Sequence, residues 1–252
     1  MNKLALILIC TFSPTCLFAD PIPDFAANYS IHLNGIQAGE LKRSLVTNND
    51  GTRLFKSKTQ AKGLFALLKP EVIIETSLWS GSEKLIKPLE YRYTRTGGRK
   101  NKRVALDFNW VTRQVYIDDA KRPWSLDLES ATLDKLLYQL ALMSDLEEKK
   151  VTFNYRIADG GKIKHYLITK TNQEVISTPM GKIEAIKLTR ERSRPKDRKT
   201  TLWCAPALNY LPVMLEHIEK DGTIFTAKLR RLRGIGTDNA FESNTSPTLL
   251  FD

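Results

Sequence analysis

Cysteine is scarce in this 252-residue chain. It has three, and two of them, Cys10 and Cys16, fall in the first sixteen residues. Beyond those only Cys204 is left, and one cysteine cannot form an internal disulfide. The core must therefore hold the fold without covalent staples. Histidine is equally rare. His32, His165 and His217 share no short metal-ligand spacing with one another or with Cys204. No serine sits in a nucleophile elbow, and there is no glycine-rich phosphate loop or zinc-protease motif. These gaps imply no metal and no cofactor, and they leave no catalytic residue to name. Acidic residues are outnumbered 28 to 39 by lysine and arginine, for a formal charge of +11. Apolar residues at 42% and charged residues at 27% exclude a disordered chain, a fibre and a bundle of membrane spans. A chain of this length buries enough surface for a substantial core.

The one long apolar run is Leu4 to Phe12. It follows the basic start Met1-Asn2-Lys3 and precedes Pro14 and Cys16-Leu17-Phe18-Ala19. Basic start, apolar stretch and small terminal residue are the three parts of a secretory signal peptide. An uncleaved anchor would need about 20 apolar residues. Residues 1–19 are thus predicted to be cut after Ala19, placing the protein in the periplasm of a Gram-negative bacterium. Neither Cys10 nor Cys16 has the small preceding residue that lipid modification favours. Removing the segment takes away Lys3 and no acid, so the mature chain stays strongly basic.

The remainder alternates with period two. Tyr29, Ile31 and Leu33 alternate with Ser30, His32 and Asn34. Val72, Ile74 and Leu78 alternate with Glu75 and Ser77. Val104, Leu106, Phe108 and Trp110 alternate with Ala105, Asp107 and Asn109, and Leu211, Val213 and Leu215 alternate with Pro212, Met214 and Glu216. Such strands pack one face and wet the other, the habit of antiparallel sheets. Asn34-Gly35, Gly97-Gly98, Asp159-Gly160-Gly161 and Asp221-Gly222 supply the positive φ of tight hairpins. From Ser130 to Glu147 the period changes. Leu133, Leu136, Leu137, Leu140, Ala141 and Met143 mark an amphipathic helix that Ser130 or Asp127 could cap. Gly63 to Leu68 is a short apolar run between lysines, predicted to form a helical turn. The expected fold is α+β: a strongly curved antiparallel sheet, an open half-barrel, wrapped around one main α-helix. Residues 20–236 form one domain, and 237–252 form a polar, turn-rich tail.

Candidate sites are of two kinds. The first is cationic: Arg95 to Arg103, Arg190 to Lys199, and Lys228 to Arg233. Arg99, Lys100, Arg103, Lys228 and Arg230 are its most prominent members. In an exported protein nucleic acid is not an expected partner. Anionic head groups or acidic envelope proteins are the available counterparts, and a merely solvated basic surface is the plain alternative. The second kind is apolar. Leu64, Phe65 and Leu68 could form a lip, with Trp79, Trp110 and Trp203 lining a cavity. The competing reading makes the run a plug and the tryptophans core. An enzyme would need His165 or His217 to meet a carboxylate in a cleft. Asp118-Asp119 would point to opposite faces of a strand and so cannot flank one bond; a turn is the natural reading.

Leu202-Trp203-Cys204-Ala205-Pro206, with Tyr210-Leu211-Pro212-Val213 and the Asp221-Gly222 hairpin, resembles the exported bacterial DUF3108 family. Gly35 to Glu40, Gly63-Leu64-Phe65 and Thr178-Pro179-Met180-Gly181 are similar to its pattern as well. The family brings no established activity or catalytic residues. More distantly, the tryptophan, the Leu-Pro-Val strand and the Asp-Gly hairpin are similar to lipoprotein carriers of the LolA and LolB type. That resemblance implies an unclosed barrel whose concave side holds acyl chains. The expectation is a non-catalytic protein binding an apolar or lipid-like ligand or a lipidated partner. The alternative is an envelope assembly factor without a small ligand.

Overall fold

The computed structural model describes residues 22–68, 70–82, 85–98, 100–119, 124–159, 161–190 and 198–242. The predicted signal peptide, residues 1–19, lies outside them. From the N-terminal side come β1 (Phe25–Leu33), β2 (Ile36–Thr47), β3 (Arg53–Ala61), the five-residue helix α1 (Leu64–Leu68), β4 (Val72–Ser80), β5 (Lys87–Thr96), β6 (Lys102–Asn109), β7 (Gln114–Asp118) and β8 (Trp124–Asp127). Then follow β9 (Thr132–Asp134), α2 (Tyr138–Glu147), β10 (Phe153–Ala158), β11 (Ile163–Thr178), β12 (Gly181–Arg190), β13 (Lys199–Ala205), β14 (Leu211–Ile218) and β15 (Ile224–Arg233). A short 3-10 turn, Pro206–Leu208, joins β13 to β14.

The strands make one mainly antiparallel sheet in the order β8-β7-β6-β5-β4-β3-β2-β1-β15-β14-β13-β12-β11-β10-β9, with β9 parallel to β10. Hairpins of two strands dominate because the turns permit them. Asn34 (φ 48°) and Gly35 (φ 84°) both hold the positive φ that a two-residue hairpin matching the strand twist requires. The sheet is strongly curved. β4 and β9 are far apart in the strand order, yet the Ser77 hydroxyl donates to Asp134 Oδ1 at 2.9 Å. Lys135 Nζ reaches Glu75 Oε1 at 3.0 Å across the same gap. The Trp124 ring of β8 lies where a side chain on Gly161 would stand, closing in on the β10–β11 turn. The two outer strands nevertheless share no ladder, so the sheet stays unclosed.

The concave side holds the core. Trp79, Tyr29, Phe55, Phe153, Leu45 and Leu106 are among its fully buried side chains. Phe25 and Phe55 meet edge to face at 6.1 Å, the arrangement the ring quadrupoles favour. Seven of the ten residues of α2 are buried, Gln139 and Ser144 among them. A helix covered on nearly all sides needs no polar stripe, so the amphipathic pattern overstated its exposure. Its start also differs from the expectation. Thr132–Asp134 is a strand, and neither Ser130 nor Asp127 caps α2. Leu137 is the N-cap residue and makes no side-chain cap bond; Asp134 instead braces the turn that leads into the helix. Its Oδ1 accepts from the backbone N–H groups of Leu136 and Leu137 at 2.8 and 3.0 Å, satisfying donors at the helix entry.

One strand turns its other face inward. On β4, Ser77 and Trp79 are buried, whereas Val72, Ile74 and Leu78 are half-exposed. The polar residues tolerate the interior because each finds a partner. Glu75 accepts from the Tyr91 hydroxyl at 2.6 Å and pairs with Lys135, and Ser77 binds Asp134. β11 differs similarly: Tyr166 and Ile168 face the core, so His165 and Leu167 are exposed. Beyond β15 the chain folds back. Glu242 exchanges backbone hydrogen bonds with Lys182 at 2.8 and 2.9 Å, and Phe241 packs on the core.

Candidate functional site: one rim of the sheet

Antiparallel pairing collects the chain reversals at two rims. On one rim Leu33 faces both Ile36 and Phe225, Gly39 faces Ala61, Gln60 faces Val72, Val72 faces Thr96, and Arg95 faces Lys102. Lys199 faces Ile218 on the same rim. The β1–β2, β5–β6 and β14–β15 turns therefore lie along it, together with the α1 crossover. Backbone bonds tie these reversals to one another. Asn34 N–H donates to the Ile224 carbonyl and Asn34 Oδ1 accepts from Ile224 N–H, each at 2.9 Å. Lys62 N–H donates to the Ala38 carbonyl at 2.9 Å, anchoring the entry to α1.

α1 is the unusual element here. Its sequence is Leu-Phe-Ala-Leu-Leu, and none of its residues is fully buried. Leu64, Leu67 and Leu68 are 68%, 81% and 76% exposed, and Ile36 on the facing strand end is 64% exposed. Single exposed leucines are ordinary, but three in one helical turn form a patch. The turn is too short to bury every side of itself. Phe65 and Ala66 are half-buried. Gly97 holds φ 75°, and a side chain there would meet the Pro70 carbonyl oxygen, so the β5–β6 turn packs closely against the exit from α1.

The predicted apolar residues do not line one cavity. Leu64 and Leu68 stand outside on α1. Trp79 is fully buried near the opposite rim, with the Arg53 guanidinium 5.3 Å from its ring centre. Half-buried Trp110 is also at that rim and donates Nε1–H to the Pro88 carbonyl at 2.7 Å. Trp203 is buried within β13, where its ring nitrogen donates to Glu174 and Lys187 lies over the ring. The tryptophans are therefore core and strand-packing residues. Two open clefts occur elsewhere on β7 and β8; one is bordered by Asp107, Tyr116, Ile117, Asp118, Trp124 and Ser125.

The predicted cations divide in the same way. Lys100 and Arg103 are exposed at or next to the α1 rim, with Arg103 3.9 Å from Asp118. Arg99 and residues 191–197 lie outside the described residues. Lys228 and Arg230 run down the outer face of β15, away from the rim. Arg230 is the extra residue of a bulge, since Tyr29 faces Leu229 while Asn28 faces Arg231. The sequence reading missed Leu67, Ile36 and the interior Arg43. Leu67 could have been noticed, because the 64–68 run has no polar position on which to turn outward.

Other chemistry-bearing groups are engaged within the fold. His217 Nδ1 is 3.0 Å from the Thr200 hydroxyl, and Nε2 is 3.6 Å from Glu219, which itself binds Arg198. Burial lowers the His217 pKa, favouring the neutral ring. His165 is exposed on the outer face. Cys204 is buried, and desolvation raises its thiol pKa far above the ordinary value, which suppresses the reactive thiolate. Among the described residues no group of three or more His, Cys, Asp or Glu side chains could hold a metal ion. No described helix is long and apolar enough to cross a membrane.

Comparison with known proteins places the whole sheet in context. Residues 28–230 match the family described as protein of unknown function (DUF3108), and the chain belongs to that family. A beta-barrel-like protein of the domain of unknown function DUF1849 from Brucella abortus shares the fold. It has a TM-score of 0.53 at 12% identity, with 86% of this chain and 99% of that one covered. Two complexes, MucB with periplasmic MucA and the Pseudomonas aeruginosa MucA/MucB assembly, align at 10% and 9% identity. Each covers 86% of this chain and 90% of the other, with TM-scores of only 0.17. No curated protein matches the chain.

Proposed function

We propose that this chain is an exported, non-catalytic binding protein of the Gram-negative periplasm that takes an apolar or lipid-like group. The observation that carries the reading is the outward-facing leucine turn of α1. A protein does not keep three exposed leucines together without cost to solubility, so they are expected to have an occupant. The barrel-like relative supports the scaffold and nothing finer, because fold does not fix function. In this reading the curved sheet wraps around α2 as its one main helix. The buried residues of α2 support that arrangement. The interior then serves as a rigid frame, and binding occurs at the rim.

Native mass spectrometry of protein purified gently from periplasm, followed by lipid extraction, tests the proposal. A bound species of lipid mass is expected, and Leu64→Ser combined with Leu68→Ser should remove it while leaving the fold intact. A lipid-free wild type, or lipid retained in the double variant, would count against it. An envelope assembly factor is the second reading. The unpaired outer strands β8 and β9 favour it, since an open edge can accept a partner's strand.

A further inference from the structure

The apolar turn does not stand alone at its rim. Ile36 lies opposite the α1 crossover, and Ile224 and Phe225, 37% and 39% exposed, lie two strands away at the start of β15. Around these apolar tips cations outnumber acids: Glu71, Glu219 and Asp221 share the same reversals, and Lys62 is paired with Glu40 at 3.4 Å. Lys62 precedes α1, Lys100 and Lys102 occupy the β5–β6 reversal, Lys199 begins β13, and Lys220 sits in the β14–β15 turn. The opposite rim has another character. It carries Asp24, Asp50, Asp127 and Glu129 with Lys87, Arg113, Lys182 and Arg233, and its exposed apolar residues Leu85, Val111, Val46 and Val151 are scattered singly rather than gathered in one turn. One end thus joins clustered apolar tips to an excess of basic residues, and the other has scattered apolar residues and balanced charge.

We propose that the α1 rim docks on the surface of an anionic phospholipid bilayer, with the strands standing away from the membrane. This rests on the proposed function and names the partner of its site. Two complementary features identify that partner. Projecting leucines require a hydrocarbon phase, and the surrounding lysines require negative charge in the plane just outside it. A bilayer of anionic lipids offers both at the correct relative depth. One short apolar turn is a weak anchor by itself, and a second, electrostatic contribution is what makes such anchoring effective. Docking should therefore be reversible and sensitive to salt. The backbone bonds of Asn34, Ile224 and Lys62 hold the reversals in fixed relation, so the rim meets the membrane as one surface.

The test uses the mature full chain with sedimenting vesicles of phosphatidylcholine alone or mixed with phosphatidylglycerol. Wild type is expected to bind only the mixed vesicles and to release as salt is raised. The variant Lys100→Glu/Lys102→Glu should weaken that binding by about tenfold or more, and Leu64→Ser/Leu67→Ser should abolish it. All four positions are solvent-facing, and retained far-ultraviolet circular dichroism shows that each variant folds. A second measurement places a dye on Leu67→Cys; Cys204 is buried and will not compete for label. Blue-shifted emission on anionic vesicles supports insertion, and unchanged emission overturns it. Equal binding to neutral vesicles overturns the anionic requirement but leaves the proposed function standing. No vesicle binding, with lipid still captured in the native spectrum, overturns docking alone. Leucine-dependent self-association without vesicle binding overturns docking in favour of a second copy as the occupant.

Discussion

Asp134 carries an unusual burden for a single carboxyl group. It is fully buried, it accepts from two backbone N–H groups of the turn that leads into α2, and it ties β9 to β4 through Ser77. Its Oδ2 finds no hydrogen-bond partner among the described residues. Burial pushes its pKa up to about 6 from 3.8, against the opposing pull of the two backbone N–H groups and the Ser77 hydroxyl. The folded protein therefore prefers the protonated acid. The stability this group contributes is fully present below pH 3.8 and is lost as pH rises through about 6, a change of about 3 kcal/mol. Asp134→Asn keeps an acceptor for the same donors and cannot ionise. It should melt with wild type near pH 4 and several degrees higher near pH 8, as read by thermal melts of both proteins across pH. A melting gap that does not change with pH would refute this. The comparison isolates Asp134 from groups that work oppositely. Burial pushes the Asp159 carboxyl up, yet Lys164 overrides this and holds it below its ordinary value. Arg43 is the companion case, a buried guanidinium 5.8 Å from the Tyr29 ring centre. Neither residue announces itself in the sequence, because burial of a charge depends on what folds over it.

At the scale of elements, the turns decide which strands become neighbours. Gly35 and Gly97 both hold positive φ, but their surroundings differ. A side chain at Gly35 would meet nothing within 4 Å, whereas one at Gly97 would lie 2.0 Å from the Pro70 carbonyl oxygen. Gly35→Ala should cost about 1 kcal/mol from its backbone conformation alone. Gly97→Ala should cost more and also loosen the exit from α1, which chemical denaturation of the two variants would rank. The Asn-Gly and Asp-Gly pairs were legible in the sequence because they are local requirements of backbone geometry. The orientation of β4 was not legible. Its alternation pointed Val72, Ile74 and Leu78 inward, yet Ser77 and Trp79 occupy that face because Asp134 and Lys135 supply partners from a distant strand. The expected start of α2 failed for a related reason: Thr132–Asp134 pairs with β10 as a parallel strand, a demand that no helical periodicity records.

The whole molecule is one curved sheet over one continuous core, joining residues from Ile22 to Ile235. Loss of packing at its centre should therefore be felt throughout. Leu140→Ala, in the fully buried part of α2, should cost about 2–5 kcal/mol. Tryptophan fluorescence and far-ultraviolet circular dichroism should report the same lowered midpoint, since Trp79 and Trp203 lie in that shared core. Separate transitions for the two probes would show that the sheet melts in parts. The gathering of exposed leucines and surplus lysines at one rim also belongs to this scale. It arises because antiparallel pairing sends alternate reversals to the same end, whatever their separation along the chain.

The strand-rich character, the hairpin turns, the short apolar turn at residues 64–68 and the family pattern are all legible in the order of residues alone. Each is written in local periodicity, turn chemistry or motif, which act over a few residues. The separation of the six apolar candidates emerges from the folded sheet. Folding buried Trp79 and Trp203, left Leu64 and Leu68 in the open, and carried Lys228 and Arg230 away from the rim. It also brought Asp134 to Ser77 across 57 positions of sequence. Burial, desolvation and the sharing of a rim are properties of what surrounds a residue, and curvature of the sheet sets those surroundings.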